Sequence, residues 1–229
     1  MKKSTRSYNL LCPISRALDH VGDRWTLLIL RDLHAGPARF KDLQTGLTGI
    51  ASNLLSDRLH ALEASGLIQK RESEFGVSLY ALTVLGERTA QLLFELARFG
   101  GRMPRPTKIN RPGNLRTVAV SLGTASQKAV SPDHDFKATL LIDGEAFRMI
   151  ARDGNAGVHA GAAENPDVVM TTSYEPMMAL ADGEIEQSQF VSNHVALEVN
   201  TPGKETEFFD LLTRAIQQFT AAANGSKIL

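Results

Sequence analysis

Between Arg24 and Thr83 the chain carries structural signals in an order that few folds accommodate. "RWTLLILRDLHAG" (24–36) has apolar residues at helical spacing and a glycine stop, and "ARFKDLQTGL" (38–47) reads as a short second helix. A brief turn leads into a third. There Ala51, Leu55, Leu59 and Leu62 share one arc of a helical wheel, while Asn53, Ser56, Asp57 and His60 share the opposite arc. Gly66 is placed to end that helix in a left-handed cap. "LIQKR" then reads as a strand, "ESEFG" as a turn and "VSLYAL" as a returning strand with alternating faces. Helix, turn, helix and two-stranded wing is the order of a winged helix-turn-helix domain.

The polar arc has two readings. Solvated helix faces are common. A face of short hydrogen-bonding side chains, free of bulky apolar groups, also suits a DNA major groove about 12 Å wide. Charge favours the groove. Residues 1–102 hold 14 Lys and Arg against 10 Asp and Glu, whereas the remainder holds 11 against 15, so a formal net charge of zero conceals a basic first part. Asn53, Ser56, His60 and Ser52 are the candidates for base edges, with Asp57 disfavoured by its own charge near phosphates. Arg39, Lys41, Lys70, Arg71 and Ser73 are the candidates for phosphate contacts, which fix register and supply salt-dependent affinity. The wheel sets Arg58 on the inner flank, where its stem packs and its charge meets a carboxylate.

"CPISRALDHVGDRWTLLILRDLHAGPARFKDLQTGLTGIASNLLSDRLHALEASGLIQKR" resembles the HxlR family of bacterial winged-helix transcriptional regulators, through Cys12-Pro13, Gly22, Trp25 with "LLILRDL", "GPARFKDL", "LLSDRL" and "GLI". The resemblance covers roughly residues 10–102 and implies a homodimeric DNA-binding repressor or activator; the N-terminal "MKKSTRSYNLLCPIS", its apolar run broken by polar residues and a proline, does not read as a signal peptide, so the cytoplasm is the expected location. One position departs from the resemblance: Ala51 is a poor N-cap, which leaves Thr48 or Ser52 to cap the reading helix. The next segment, "LTVLGERTAQLLFELARFGG", spaces Leu85, Thr89, Leu92, Leu96 and Phe99 as a seam, either core or dimer interface. The resemblance favours the dimer, with Leu85, Leu92, Leu96 and Phe99 at its interface and a pseudo-palindromic operator as its target. It also gives Cys12 a sensing role to weigh against an inert buried thiol.

"GGRMPRPTKINRPGNLRT" (100–117) holds three prolines, three glycines and five basic residues, which reads as an extended linker. The expected division is a domain over 1–102, a linker over 103–117 and a second domain over 118–229. In the second, "FKATLLIDGEAFRMIARDGNAGVHAG" reads as two strands about a "DG" turn, "DVVMTTS" as a third, then a short helix, the strand "VALEVN" and a closing helix. That is an α+β layer, making the fold class mixed. "PDVVMTTSYEPMMALADGEIE" is similar to the sterol carrier protein type 2 family, which implies a sheet and helices enclosing an apolar ligand. Met149, Met170, Met177, Met178, Phe190 and Phe209 are the candidate pocket walls.

No H-E-x-x-H, Walker-type loop or G-x-S-x-G occurs, the six histidines are scattered, and the single cysteine excludes a thiolate-rich zinc site. No enzyme, metal or cofactor is expected, and no run of about 18 apolar residues is present to span a membrane. The expected partners are double-stranded DNA, a second copy and, in the second domain, a small apolar ligand. The alternative is a hydrophobic-ligand carrier whose winged helix binds protein.

Overall fold

A computed structural model describes residues 7–73, 76–104 and 114–220. They form two compact units, Met1–Thr89 and Ala90–Leu229. In the first, α1 (Pro13–Val21), α2 (Thr26–Leu33), α3 (Phe40–Gly46) and α4 (Ser52–Ala64) precede a hairpin of β1 (Ile68–Glu72) and β2 (Ser78–Leu82), then the short α5 (Val84–Glu87). This is the winged helix-turn-helix order, with part of the expected wing turn, residues 74 and 75, outside the described residues.

Leu55, Leu59 and Leu62 of α4 are fully buried with Ile29, Leu30, Leu43 and Ile68. Each such side chain contributes about 1.5–3 kcal/mol, whereas a surface ion pair such as Lys70–Glu63, at 3.9 Å, is worth less than about 1 kcal/mol. The leucines therefore fix α4, and its outer face is free to be chosen for something other than stability. Arg58 Nη2 lies 2.8 Å from Asp23 Oδ2 and ties the inner flank to the loop before α2. Gly66, at φ 69°, ends α4, with the Leu67 N–H reaching back to the Leu62 carbonyl at 3.0 Å.

The segment after the wing corrects the expectation of one continuous helix. Thr83 caps α5 by accepting from the Gly86 N–H at 3.1 Å, and its own N–H donates to the Leu67 carbonyl at 3.0 Å. This brings α5 so close beneath the wing that a Cβ on Gly86 would lie 2.0 Å from the Leu67 oxygen. The helix breaks at Arg88, and α6 (Thr89–Gly100) starts again. Thr89, expected on the seam, is buried; its hydroxyl donates to the Gly86 carbonyl at 2.7 Å and lies 2.9 Å from His34 Nε2.

From Ala90 onward α6 belongs to the second unit, although the sequence puts the break after Arg102. Phe94 is the reason: it is buried, edge-on to Phe219 at 5.1 Å and 4.6 Å from Lys128 Nζ. The unit continues with α7 (Thr117–Ala129), β3 (Phe136–Ile142), β4 (Glu145–Arg152), β5 (Asn155–Ala160), β6 (Val168–Thr172), α8 (Tyr174–Ala181), α9 (Gln187–His194), β7 (Ala196–Val199) and α10 (Lys204–Thr220). The sheet order is β5-β4-β3-β6-β7, with β3 and β6 parallel and the other neighbours antiparallel. Where two strands are expected about one turn there are three, because Asp143-Gly144 and Asp153-Gly154 both take positive φ and both close hairpins. Residues 105–113 of the expected linker lie outside the described residues.

Helices α7 and α9 have no counterpart in the expectation. The buried helix α7 packs against β5 and α10. Gly123 allows that approach, since a Cβ there would stand 3.2 Å from the Val158 nitrogen. Helix α10 turns Phe208, Leu211, Leu212 and Ala215 onto the sheet, with Phe208 edge-on to Phe136 at 5.8 Å.

Candidate functional site

The first unit presents one continuous polar surface built from α3, α4 and the wing. Ala38, just before α3, exchanges hydrogen bonds with Tyr80 of β2 at 3.0 and 2.8 Å, so the chain entering α3 is clipped to the wing. Arg39 and Lys41 follow it and are exposed. The Arg39 N–H donates to Asp42 Oδ2 at 3.0 Å, starting α3 and leaving the guanidinium outside. Helix α4 then shows Ser52, Asn53 and His60 to solvent, with Ser56 half-buried between them.

Two of these side chains have local roles as well. Ala51 occupies the N-cap with no side-chain bond, and neither proposed substitute replaces it. Ser52, the first helical residue, accepts instead from Gln44 Nε2, which bridges α3 to α4. Asn53 Oδ1 accepts from the Leu54 N–H at 2.9 Å, although the residue remains exposed. On the wing, Lys70 and Arg71 are exposed, and Lys70 Nζ sits 5.7 Å from the Tyr80 ring. Ser73 is half-buried, and its hydroxyl accepts from the Val77 N–H at 3.1 Å. That bond closes the wing turn, so Ser73 shapes the wing before it touches anything else.

Uncovered apolar side chains form the second feature. Leu92, Leu96 and Phe99 are 43, 42 and 61 % exposed along one face of α6, and Leu85 of α5 is exposed too. Sequence reasoning missed a separate exposed set in the first unit, Leu11, Ile14 and Leu18. Their spacing of three and four residues is the signal that could have found them. Cys12 is exposed at the N-cap of α1, and N–H groups of Ser15 and then Ile14 in the first turn hold its thiol below the ordinary value.

The third feature is a cavity of about 790 Å³ inside the second unit. It is bounded by α6, α7, β6, α8, α9 and α10, and is lined by Met170, Met177, Met178, Phe190, Ile216 and Phe219 among others. Four of the six expected pocket residues thus come together. Met149 does not: on β4 opposite Ala138 and Val158 it is wholly buried in ordinary packing. Phe209 also stays out of the lining, edge-on to Phe208 at 5.3 Å. The size suits a small organic molecule rather than a water cluster. Among the described residues there is no cluster able to hold a metal ion and no helix long and apolar enough to cross a membrane.

Comparison with known proteins gives matches over the first part of the chain. A model of the HxlR-like helix-turn-helix family matches residues 20–107. The uncharacterized HTH-type transcriptional regulator YtfH of Escherichia coli K12 is 35% identical over 88 residues, covering 38% of this chain and 70% of that protein. YvaP of Bacillus subtilis, described likewise, is 30% identical over 93 residues, covering 39% and 85%. A solved structure of a putative MarR-family regulator from Porphyromonas gingivalis W83 is 29% identical, covers 43% of this chain and 99% of its own, and has a TM-score of 0.40.

Proposed function

This chain belongs to the HxlR-like helix-turn-helix family of DNA-binding transcriptional regulators, which are not enzymes, and from that premise we propose that it is a homodimeric, sequence-specific regulator with an effector-binding second unit. The observation that carries the reading is the outer face of α4, whose burial energy is supplied entirely from the other side. Asn53, with Ser56, His60 and Ser52, reads base edges; Arg39 and Lys41 at α3 and Lys70 and Arg71 on the wing hold phosphates, with Ser73 supporting the wing turn. The exposed stripe of Leu92, Leu96 and Phe99, together with Leu85, supports pairing with a second copy, and a paired reader meets a pseudo-palindromic operator. The cavity supports a small apolar effector, as the likeness to the sterol carrier protein type 2 family implies.

The test is fluorescence anisotropy of the purified protein on labelled DNA from upstream of its own gene, against a scrambled duplex, across a salt series. Selective binding with a steep salt slope is expected. The cavity favours one second reading, a hydrophobic-ligand carrier using the winged helix to bind protein. Absence of binding to either duplex at low salt would replace the regulator with that carrier.

A further inference from the structure

The lining of the cavity is chemically uneven. Much of it is thioether and aromatic, but four charged side chains also reach it: Arg98, Arg102, Asp182 and Glu186. Glu186 is engaged as the N-cap of α9. Arg102 and Asp182 each have interactions of their own. Arg98 stands apart from these three. Its Nη1 donates to Glu95 Oε2 at 2.9 Å, but Glu95 also faces Lys128 Nζ at 3.5 Å, so one carboxylate serves two cations. Arg98 Nε is shielded from water and has no hydrogen-bond partner among the described residues. Two cations therefore share one anion, and Arg98 borders a cavity otherwise walled by Met170, Met177, Met178 and Phe190.

We propose that the cavity selects an amphipathic carboxylic acid, with its apolar body among the methionines and aromatic rings and its carboxylate on Arg98. A carboxylate beside the guanidinium supplies the missing anion and balances the second cation. Arg98 is then the specificity-determining residue, and it is carried by α6, not by the sheet. The inference rests on the effector-binding reading of the second unit. Alkyl and aryl acids share this chemistry.

Calorimetric titration of the full chain with two acid and alcohol pairs, dodecanoate against 1-dodecanol and 2-naphthoate against 2-naphthalenemethanol, tests it. At least one acid is expected to bind about tenfold or more tightly than its alcohol. Arg98→Gln should bring that acid down to the affinity of the alcohol without changing the alcohol, whose unaltered binding also reports an intact fold. Arg98→Lys should restore part of the preference. Alcohols binding as tightly as their acids, or Arg98→Gln weakening both alike, would overturn the anionic ligand and leave a cavity for neutral compounds. No binding by any of the four would overturn the effector reading as well.

Discussion

Helix α4 in the first unit and helix α8 in the second are both short helices beside a small sheet, and they leave different kinds of surface unfilled. Helix α4 buries its leucines completely and turns short polar groups outward. Helix α8 keeps Met177 and Met178 half-buried against empty space. One helix has complete packing and spare hydrogen-bonding groups; the other has spare packing. The comparison teaches that a face free for recognition can be left on a helix whose stability lies wholly on its hidden side, whereas a cavity must be built from contacts that the fold leaves unmade. Substitutions should accordingly separate folding from recognition cleanly in the first unit and only partly in the second.

The most severe test of that separation is Gly86→Ala. Its Cβ would collide with the Leu67 carbonyl beneath the wing, so a loss of about 4 kcal/mol or more is expected. The chain's single tryptophan, Trp25, lies in the first unit and reports that unit's unfolding by its fluorescence. An unchanged denaturation midpoint would show that the wing base yields easily. Next, Met149→Ala should cost about 2–4 kcal/mol by opening a void in full packing, with ligand affinity nearly intact. Met177→Ala should do the reverse, weakening ligand more than it lowers the melting temperature. Equal behaviour of the two in paired melting and binding assays would make the cavity plain core.

Smaller effects divide the polar face itself. Asn53→Ala should cost about 1–3 kcal/mol on the preferred duplex and blur the sequence preference, while Lys41→Ala should weaken every duplex alike and lower the salt slope by about one. Matching losses on all sequences from both variants would mean that α4 touches only the backbone. Smallest is Cys12. Because the Ser15 and Ile14 N–H groups lower its thiol pKa, thiolate persists to lower pH than for a free cysteine. The rate of modification by a disulfide reagent should therefore begin to rise at a lower pH than for a cysteine-containing peptide. A coincident pH profile would remove the basis for sensing at that position.

The winged order was legible because each piece carries its own local signal: leucines at helical spacing, Gly66 at a positive φ just after α4, and alternation in the sequence "VSLYAL". Helix α7 was not legible, since "TVAVSLGTASQKA" is small and β-branched residues with neither charge period nor cap; its helicity comes from burial between β5 and α10. The base-edge candidates could be drawn from a wheel because exposure on α4 follows from the position of the leucines, and the phosphate candidates from the basic residues at the start of α3 and on the wing. The cavity could be drawn only in part. Met170, Met177 and Met178 line one cavity, but Met149 is the same residue type in different surroundings, and no local pattern separates a thioether beside a void from one in full contact. Arg98 escaped notice for the same reason: how many cations share Glu95 is a count that only tertiary packing defines.

Helix α6 presents two different faces. Phe94, Ala97, Arg98 and Gly101 lie on the inner side, with the last three lining the cavity, while Leu92, Leu96 and Phe99 lie outward on the other. If, as proposed, α6 meets a small molecule on one side and a second copy on the other, the two equilibria are reciprocal: whatever factor the ligand applies to self-association, self-association applies to the ligand. The apparent ligand affinity of this protein would then depend on its own concentration, and a cell could retune the sensor by changing how many copies it makes.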